Sequence, residues 1–415
     1  MNKSIFVYAD WRSLPEPHLI GMLEVDLVRG AEVYRFAYAK SWLNSPHVVQ
    51  IDPLLKLFSG DQFNNDARNF RTFLDSCPDR WGRLLMQRRE AVFARQESRR
   101  ISKLNESDYL LGVHDTYRMG GLRFKLNEDG PFLDNNPQLT APPISSLREL
   151  EHAVEQIEKQ PDLDNPDYLK WLFMLISPGS SLGGARPKAC VADGDELWLA
   201  KFPSRYDDHD IGAWEYLVYS MAIDAGIQMA PCRIQRFNSP HHTFLTQRFD
   251  RTGNQRHHFS SAMTQLGYYD GDEGASYLEM AQFLIEHGAN TRSDLAQLWR
   301  RLAFNILVSN SDDHLRNHGF LLSENNSGWV LSPAYDININ LGATGLHLNI
   351  DQLSNALDLT LALEVCPYFQ LSLEQAQKIL LELQAVTRNW RDYANTIGIN
   401  RQEQQLLETI FIETK

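Results

Sequence analysis

Apolar positions repeat along this chain with two periods, and the change from one to the other marks its parts. Near the N-terminus the period is two: residues 4–9, Leu19 to Val28 and Glu32 to Ala39 read as strands, with Arg29-Gly30-Ala31 turning between the last two. They predict a small opening sheet. From Phe70 to about Arg100 the period becomes helical, broken at Cys77-Pro78-Asp79, where proline stops one helix and Asp79 is placed to cap the next. That second helix is expected to turn Trp81, Leu84, Leu85, Val92 and Phe93 inward. Arg80, Arg83, Arg88, Arg89, Arg95, Arg99 and Arg100 are spread around it. They fit first a solvated face partnered by Glu90 and Glu97, and second a contact face for a partner or DNA.

Residues 126–146 are rich in Asn, Asp, Pro and Gly, and are read as a linker between domains. Ser146 and Glu149 then have the spacing of a capping box, ahead of an apolar face made by Leu147, Leu150, Val154 and Ile157. A short helix follows from Tyr168 to Ile176. Next come a loop rich in glycine and serine, residues 178–188, and a hairpin, Ala189 to Ala192 and Glu196 to Phe202, around Asp193-Gly194-Asp195. A helix from Ile211 to Ala225 turns Trp214, Leu217, Val218 and Met221 inward and is closed by Gly226. Strand-like pieces Cys232 to Phe237 and Thr243 to Phe249 come next, and beyond Phe249 the pattern is mostly helical. The last long helix is expected from Leu373 to about Trp390, boxed by Ser372 and Gln375. The expected domains are 1–140, 141–249 and 250–415.

Composition narrows the class without naming it. The 415 residues are 43% hydrophobic and 22% charged, which is ordinary globular composition. A net charge of −13 argues against the whole surface binding nucleic acid. Cys77, Cys190, Cys232 and Cys366 are widely spaced and predict reduced thiols in a cytoplasmic protein. The opening apolar run is short for a signal sequence and is broken by Asp10; no run approaches the length of a membrane span.

Candidate chemistry concentrates in Asn310-Ser311-Asp312-Asp313-His314-Leu315-Arg316-Asn317. These residues follow a helix whose stripe is Leu295, Leu298, Trp299, Leu302, Ala303, Ile306 and Leu307. Asp312 and Asn317 are five apart, the separation of the base and the metal-binding amide in kinase catalytic loops. A hairpin of Gly319 to Leu322 and Trp329 to Leu331 then returns the chain, bringing Asp336 back toward Asp312. Asn317 and Asp336 supply the oxygens magnesium prefers, leaving Asp312 to deprotonate an acceptor hydroxyl. Upstream, residues 179–188 fit a phosphate-binding loop and also a flexible turn. Lys201, on the apolar face of its strand with Leu197 and Leu199, fits an ammonium aimed at phosphates and also one snorkelling to solvent. Glu215 fits its helix-borne partner and also an exposed glutamate. The order loop, lysine, glutamate, base, amide, carboxylate is that of a kinase. A rival reading pairs His314 with His318 on a transition metal, without the glutamate after the first histidine that a metalloprotease helix needs. His241-His242, His257-His258 and Asp207-Asp208-His209-Asp210 read as solvated loops.

Five spaced motifs resemble those of HipA-type serine/threonine kinases, the toxins of bacterial HipBA toxin–antitoxin modules. They are Ser181 to Lys188, Lys201-Phe202-Pro203, Arg248-Phe249-Asp250-Arg251, Asn310 to Asn317 and Tyr335-Asp336-Ile337, and the likeness extends from the N-terminal sheet and Pro78-Asp79-Arg80-Trp81-Gly82-Arg83 to the last helices. The resemblance implies an α+β, bilobal protein-kinase-like fold: an N-terminal α+β domain, a small sheet-containing ATP lobe and a helical C-terminal lobe. It implies catalytic roles for Asp312, Lys201 and Glu215. It implies nucleotide contacts from Gly183, Gly184, Ala185, Arg186, Pro187, Lys188 and Lys201, a hinge at Gln247, Arg248 and Phe249, and further contacts from His314, Asn317, Tyr335 and Asp336. Asn317 and Asp336 would hold Mg2+. Ser181, or the adjacent Ser180, would be autophosphorylated, which expels two extra negative charges from a phosphate cradle. The family's best-known targets are aminoacyl-tRNA synthetases. Implied partners are ATP, a protein with a serine or threonine acceptor and a HipB-like helix-turn-helix antitoxin, with DNA reached only through it. A weakly catalytic binding protein acting with such an antitoxin as a repressor is the alternative. Two departures stand out: Asp313 occupies a position usually basic, and Arg186-Pro187 replaces the more familiar Gln-Glu.

Overall fold

The computed structural model describes residues 2–64, 68–159, 165–176, 184 and 186–412. Contacts divide the chain into two units. One is Met1–Arg205 with Gln247–Ser260 and Glu324–Asn326; the other is Tyr206–Thr246 with Ser261–Ser323 and Ser327–Lys415.

The first unit opens with an antiparallel sheet in the order β4-β3-β2-β1-β5, built from β1 (Lys3–Ala9), β2 (His18–Val28), β3 (Ala31–Tyr38), β4 (Asp61–Phe63) and β5 (Leu122–Lys125). Val28 pairs with Ala31, so the expected three-residue turn is a two-residue one. Arg29 and Gly30 both take positive φ, 52° and 83°, as a turn matching the strand twist requires. Period two then buries Tyr34, Phe36 and Tyr38 of β3. Phe36 meets Phe70 and Phe73, and Phe73 meets Phe124, with ring centroids 5.7–6.5 Å apart.

Asp79 caps the Arg80–Gln96 helix as expected. Trp81, Leu85 and Val92 are buried, but Leu84 is exposed and Phe93 is half-buried against Phe173. Those two sit at the margins of the stripe centred on Trp81, Leu85 and Val92; Met86 and Ala94 are buried as well. Among the arginines, Arg99 pairs with Glu90 and Glu97, and Arg83 forks onto Glu106. The capping box at Ser146 does not form. Ser146 closes a short turn, Ile144–Ser146, with helical backbone, whereas an N-cap needs extended backbone. The face of Leu147, Leu150, Val154 and Ile157 is buried as expected.

The Pro166–Ile176 helix packs on the Arg80–Gln96 helix, and Trp81 donates to the Lys188 carbonyl. These contacts hold the Pro166–Ile176 helix and Lys188 to the Arg80–Gln96 helix. The hairpin of β6 (Lys188–Asp193) and β7 (Glu196–Lys201) belongs to this unit.

In the second unit the Ile211–Asp224 helix begins at Asp210, whose side chain accepts from Ala213 N and meets His242 Nδ1 at 2.6 Å. Asp210 is therefore a buried cap rather than a solvated loop residue. His258, in the first unit, is likewise buried and stacked on Trp11. The Tyr277–His287 and Thr291–Leu307 helices form the core, and Leu295, Leu298, Trp299, Leu302, Ala303, Ile306 and Leu307 are all buried as their spacing predicts. The capping box at Ser372 forms. Its helix stops at Thr387, and two further helices, Trp390–Ile397 and Arg401–Ile412, follow. Among the described residues no helix is long and apolar enough to cross a membrane. The four cysteines are unbridged.

One buried ion cluster anchors the Gln247–Ser260 segment of the first unit. Asp250, fully buried, accepts from Arg248 at 2.7 and 2.9 Å, from Arg251 at 2.6 Å and from Gly120 N at 2.9 Å. Burial would raise its pKa, but the two guanidinium groups outweigh it and hold the carboxyl well below its usual range. Replacing Asp250 by asparagine strands two buried cations. Chemical denaturation of Asp250→Asn is expected to show a loss of about 3–5 kcal/mol, and a loss within experimental error would contradict this role for the cluster.

Candidate active site

The Thr291–Leu307 helix delivers the loop that follows, and its own polar residues hold the surroundings. Arg301, buried in the helix, donates to Ser332 O at 2.6 Å, and Asp294 accepts from Leu331 N at 3.0 Å. These bonds fix the Trp329–Leu331 strand and the chain leaving it. Three more lay residues 335–340 along the loop. Tyr335 donates its hydroxyl to Arg316 O at 2.8 Å, Asn338 N to Asn310 Oδ1 at 3.4 Å, and Asn340 N to Ser309 O at 3.2 Å. Asp336 lies within that pairing, as the sequence predicts. Its backbone is left-handed, φ 58°, and its Oδ1 accepts from Asn338 Nδ2 at 3.0 Å.

Within the loop the two neighbouring aspartates face opposite environments. The Asp312 side chain is 64% exposed, whereas Asp313 is 1% exposed. Asp313 Oδ2 accepts from the Tyr277 hydroxyl at 2.7 Å, and Oδ1 accepts from His347 N at 2.7 Å and Leu348 N at 3.4 Å. Tyr277 in turn accepts from Asn305 Nδ2, and Asn305 Oδ1 from Asn310 Nδ2. The relay therefore runs from Asp313 through the core to Asn310, which receives Asn338 beside Asp336. Burial pushes the Asp313 pKa up to about 6, against the hydrogen bonds that favour its ionised form.

Asn317 is buried, and its amide donates Nδ2 to Asp312 O at 2.7 Å. Its Oδ1 is buried with no partner. A carboxamide oxygen left over in this way is a donor for a hard cation, and Asp336 supplies a carboxylate on the adjoining segment. The residues present therefore fit magnesium. They do not fit the rival reading. His318 is buried with its ring edge-on to Tyr277. His314 sets Nε2 3.8 Å from Asp312 Oδ1 and its ring edge-on to His347. Among the described residues no three His, Cys, Asp or Glu side chains converge as metal ligands.

In the first unit Lys188 and Lys201 are both buried and are cross-strand partners in the β6–β7 hairpin. Gly184 is left-handed, φ 88°, a conformation that favours glycine. Arg186 is half-buried, and Pro187 O accepts from Phe202 N. Gly183, Ala185, Ser180 and Ser181 lie outside the described residues. Arg248, expected at a hinge, turns its guanidinium inward to Asp250 and Tyr117 O, and its N–H bonds Leu197 O. Glu215 is buried on the Ile211–Asp224 helix, in the second unit, whereas Lys201 belongs to the first. Tyr277 and Asn305 were not singled out from sequence, and Asn310 was named only as the first residue of the candidate stretch. A carboxamide inside the apolar run Ala303-Phe304-Asn305-Ile306-Leu307 was the available signal.

Residues 180–390 match the model of the HipA-like C-terminal domain. The match takes in just over half of the 415 residues, and the chain belongs to this family. Its fold, mixing helices with sheets, is that of HipA from Shewanella oneidensis MR-1, solved with HipB and operator DNA. The TM-score is 0.66 at 18% identity, covering 98% of this chain and 95% of that one. The Helicobacter pylori proinflammatory kinase CtkA aligns at a TM-score of 0.39 and 12% identity, over 56% of this chain and 92% of its own. A Haemophilus influenzae protein named "Putative kinase" is 31% identical over 108 residues, 24% of this chain and 31% of that protein's length.

A folded-state pKa above the ordinary carboxylate value means the folded chain holds the Asp313 proton more tightly than the unfolded one. That contribution stabilises the fold at low pH and is lost as pH rises from about 4 to about 7. In denaturant titrations across this window, wild type is expected to lose on the order of 2–3 kcal/mol more than Asp313→Asn. Parallel pH profiles would contradict the burial assigned to this carboxyl.

Proposed function

We infer that the protein transfers the terminal phosphoryl group of ATP to a serine or threonine hydroxyl of a protein substrate. The observation that carries this reading is the division of labour in one loop. Asp312 is open to solvent while its carbonyl locks the Asn317 amide, leaving the Asn317 Oδ1 buried without a partner on the segment adjoining Asp336. Asn317 and Asp336 would hold the magnesium ion. Bound there with the phosphates, the ion supplies neutralisation of the charge that develops on transfer. The Asp312 carboxylate orients the acceptor hydroxyl and takes its proton. Lys201 and the glycine-rich residues cradle the phosphates, with Glu215 positioning the lysine. Family membership supports the reading, since it was reached independently of the loop geometry.

Autophosphorylation of Ser181 or Ser180 belongs to the same proposal, as does a HipB-like partner, the component seen with the Shewanella protein. A surface of net charge −13 fits contact with DNA through such a partner rather than directly. The substrate class proposed is a protein of the translation apparatus such as an aminoacyl-tRNA synthetase.

Incubation with labelled ATP and magnesium, followed by mapping of phosphate by mass spectrometry, tests this. Wild type is expected to label itself on a loop serine. Asp312→Ala is expected to slow transfer by about 100- to 10,000-fold while still binding nucleotide, and Asp336→Ala to lose transfer together with the magnesium-dependent part of ATP binding. A wild type that neither labels itself nor binds ATP sinks the kinase reading. Label persisting in both variants sinks the assignment of the site.

A further inference from the structure

The two lysines of the β6–β7 hairpin set an electrostatic problem. Lys188 and Lys201 are direct cross-strand partners, so their side chains share one face with Cβ atoms about 5 Å apart. Both are buried. Like charges directly opposite one another destabilise a hairpin, and withdrawal from water deepens the penalty. For Lys188 the countercharge comes from the N-terminal domain. Its Nζ lies 2.8 Å from Asp79 Oδ2, and each side chain is 4% exposed. Asp79 uses its other oxygen to cap the Arg80–Gln96 helix, accepting from Gly82 N at 2.8 Å. Trp81, in the first turn of that helix, donates its indole N–H to the Lys188 carbonyl at 3.1 Å. The head and the backbone of Lys188 are thus both held by one helix N-terminus. A Cβ at position 184 would stand 3.4 Å from the same ammonium, which places the nitrogen against the left-handed Gly184.

We propose that Asp79 and Lys188 form a buried strut by which the N-terminal domain fixes the exit of the glycine-rich loop, with Lys188 serving the nucleotide by position rather than as a phosphate ligand. This rests on the kinase reading and narrows it. Of the basic residues expected beneath the phosphates, Lys201 stays a ligand and Lys188 becomes a positioning residue. Turning Lys188 to a phosphate would pull its ammonium away from Asp79 Oδ2, and breaking such a buried pair costs more than it returns. The N-terminal domain is on this account part of the ATP site without touching ATP.

The test compares ATP–Mg2+ affinity and melting temperature of the full chain in wild type, Asp79→Asn, Lys188→Gln and the double variant. Asparagine keeps the capping oxygen, and the double variant replaces the ion pair with two amides able to bond each other. Each single substitution breaks the buried pair and is expected to weaken ATP binding about tenfold and lower the melting temperature, whereas the double variant returns affinity to within about threefold of wild type. A phosphate ligand behaves differently: the double variant stays as weak as Lys188→Gln, with a greater loss for ATP than for ADP. That result, or additive effects of the two substitutions on melting temperature, overturns the strut. Where the single variants fail to fold, the double variant decides alone: affinity near wild type supports the strut and weak binding overturns it. A wild type that binds no ATP overturns the kinase reading and the strut together, so the two failures are told apart.

Discussion

A carboxylate removed from water must find hydrogen bonds, and Asp313 meets that constraint with three donors from two separate segments. Meeting it fixes the loop. With Asp313 drawn inward to Tyr277, His347 and Leu348, its neighbour Asp312 is left on the solvent side. Its carbonyl is then in place to receive the Asn317 amide. The same relay continues through Asn305 to Asn310, whose side chain receives the segment carrying Asp336. Asp312, Asn317 and Asp336 therefore take their places as consequences of one buried group.

Position 313, where the resemblance implies a basic residue, is thus occupied by a structural carboxylate, not by a charge added to the surface of the site. An exposed Asp313 would have repelled both the phosphates and an acidic substrate. A buried one meets neither. The first unit solves a similar problem in two places. Asp250 sits between its sequence neighbours Arg248 and Arg251, whereas Asp79 meets Lys188 from a segment distant in sequence. Desolvation offsets most of the attraction in buried ion pairs of this kind, so removing one partner costs more than the intact pair contributes.

Much of the framework was legible because it obeys local rules. The apolar stripe at 295–307 predicted its helix, Asp79 and Ser372 predicted their caps, and the hairpins at 188–201 and 319–331 followed from alternation around turn residues. Asp312, Asn317 and Asp336 were singled out by their spacing and order, which are those the proposed chemistry requires. What escaped was set by contacts far along the chain. Tyr277 reaches Asp313 across 36 residues and Trp81 reaches Lys188 across 107. No local pattern announces that a charged residue will be buried. Leu84 and Ser146 mark a different limit: at a stripe margin or beside a tight turn, neighbouring packing and backbone conformation override the propensity.

The central claim is that Asn317 Oδ1 and Asp336 hold the metal that brings ATP into register with Asp312. Calorimetric titration of ATP, with and without magnesium, tests it most directly. Magnesium is expected to tighten ATP binding to wild type on the order of tenfold. That enhancement should vanish in Asn317→Ala and in Asp336→Ala, with their metal-free ATP affinity unchanged. A full magnesium effect in both variants would contradict the account.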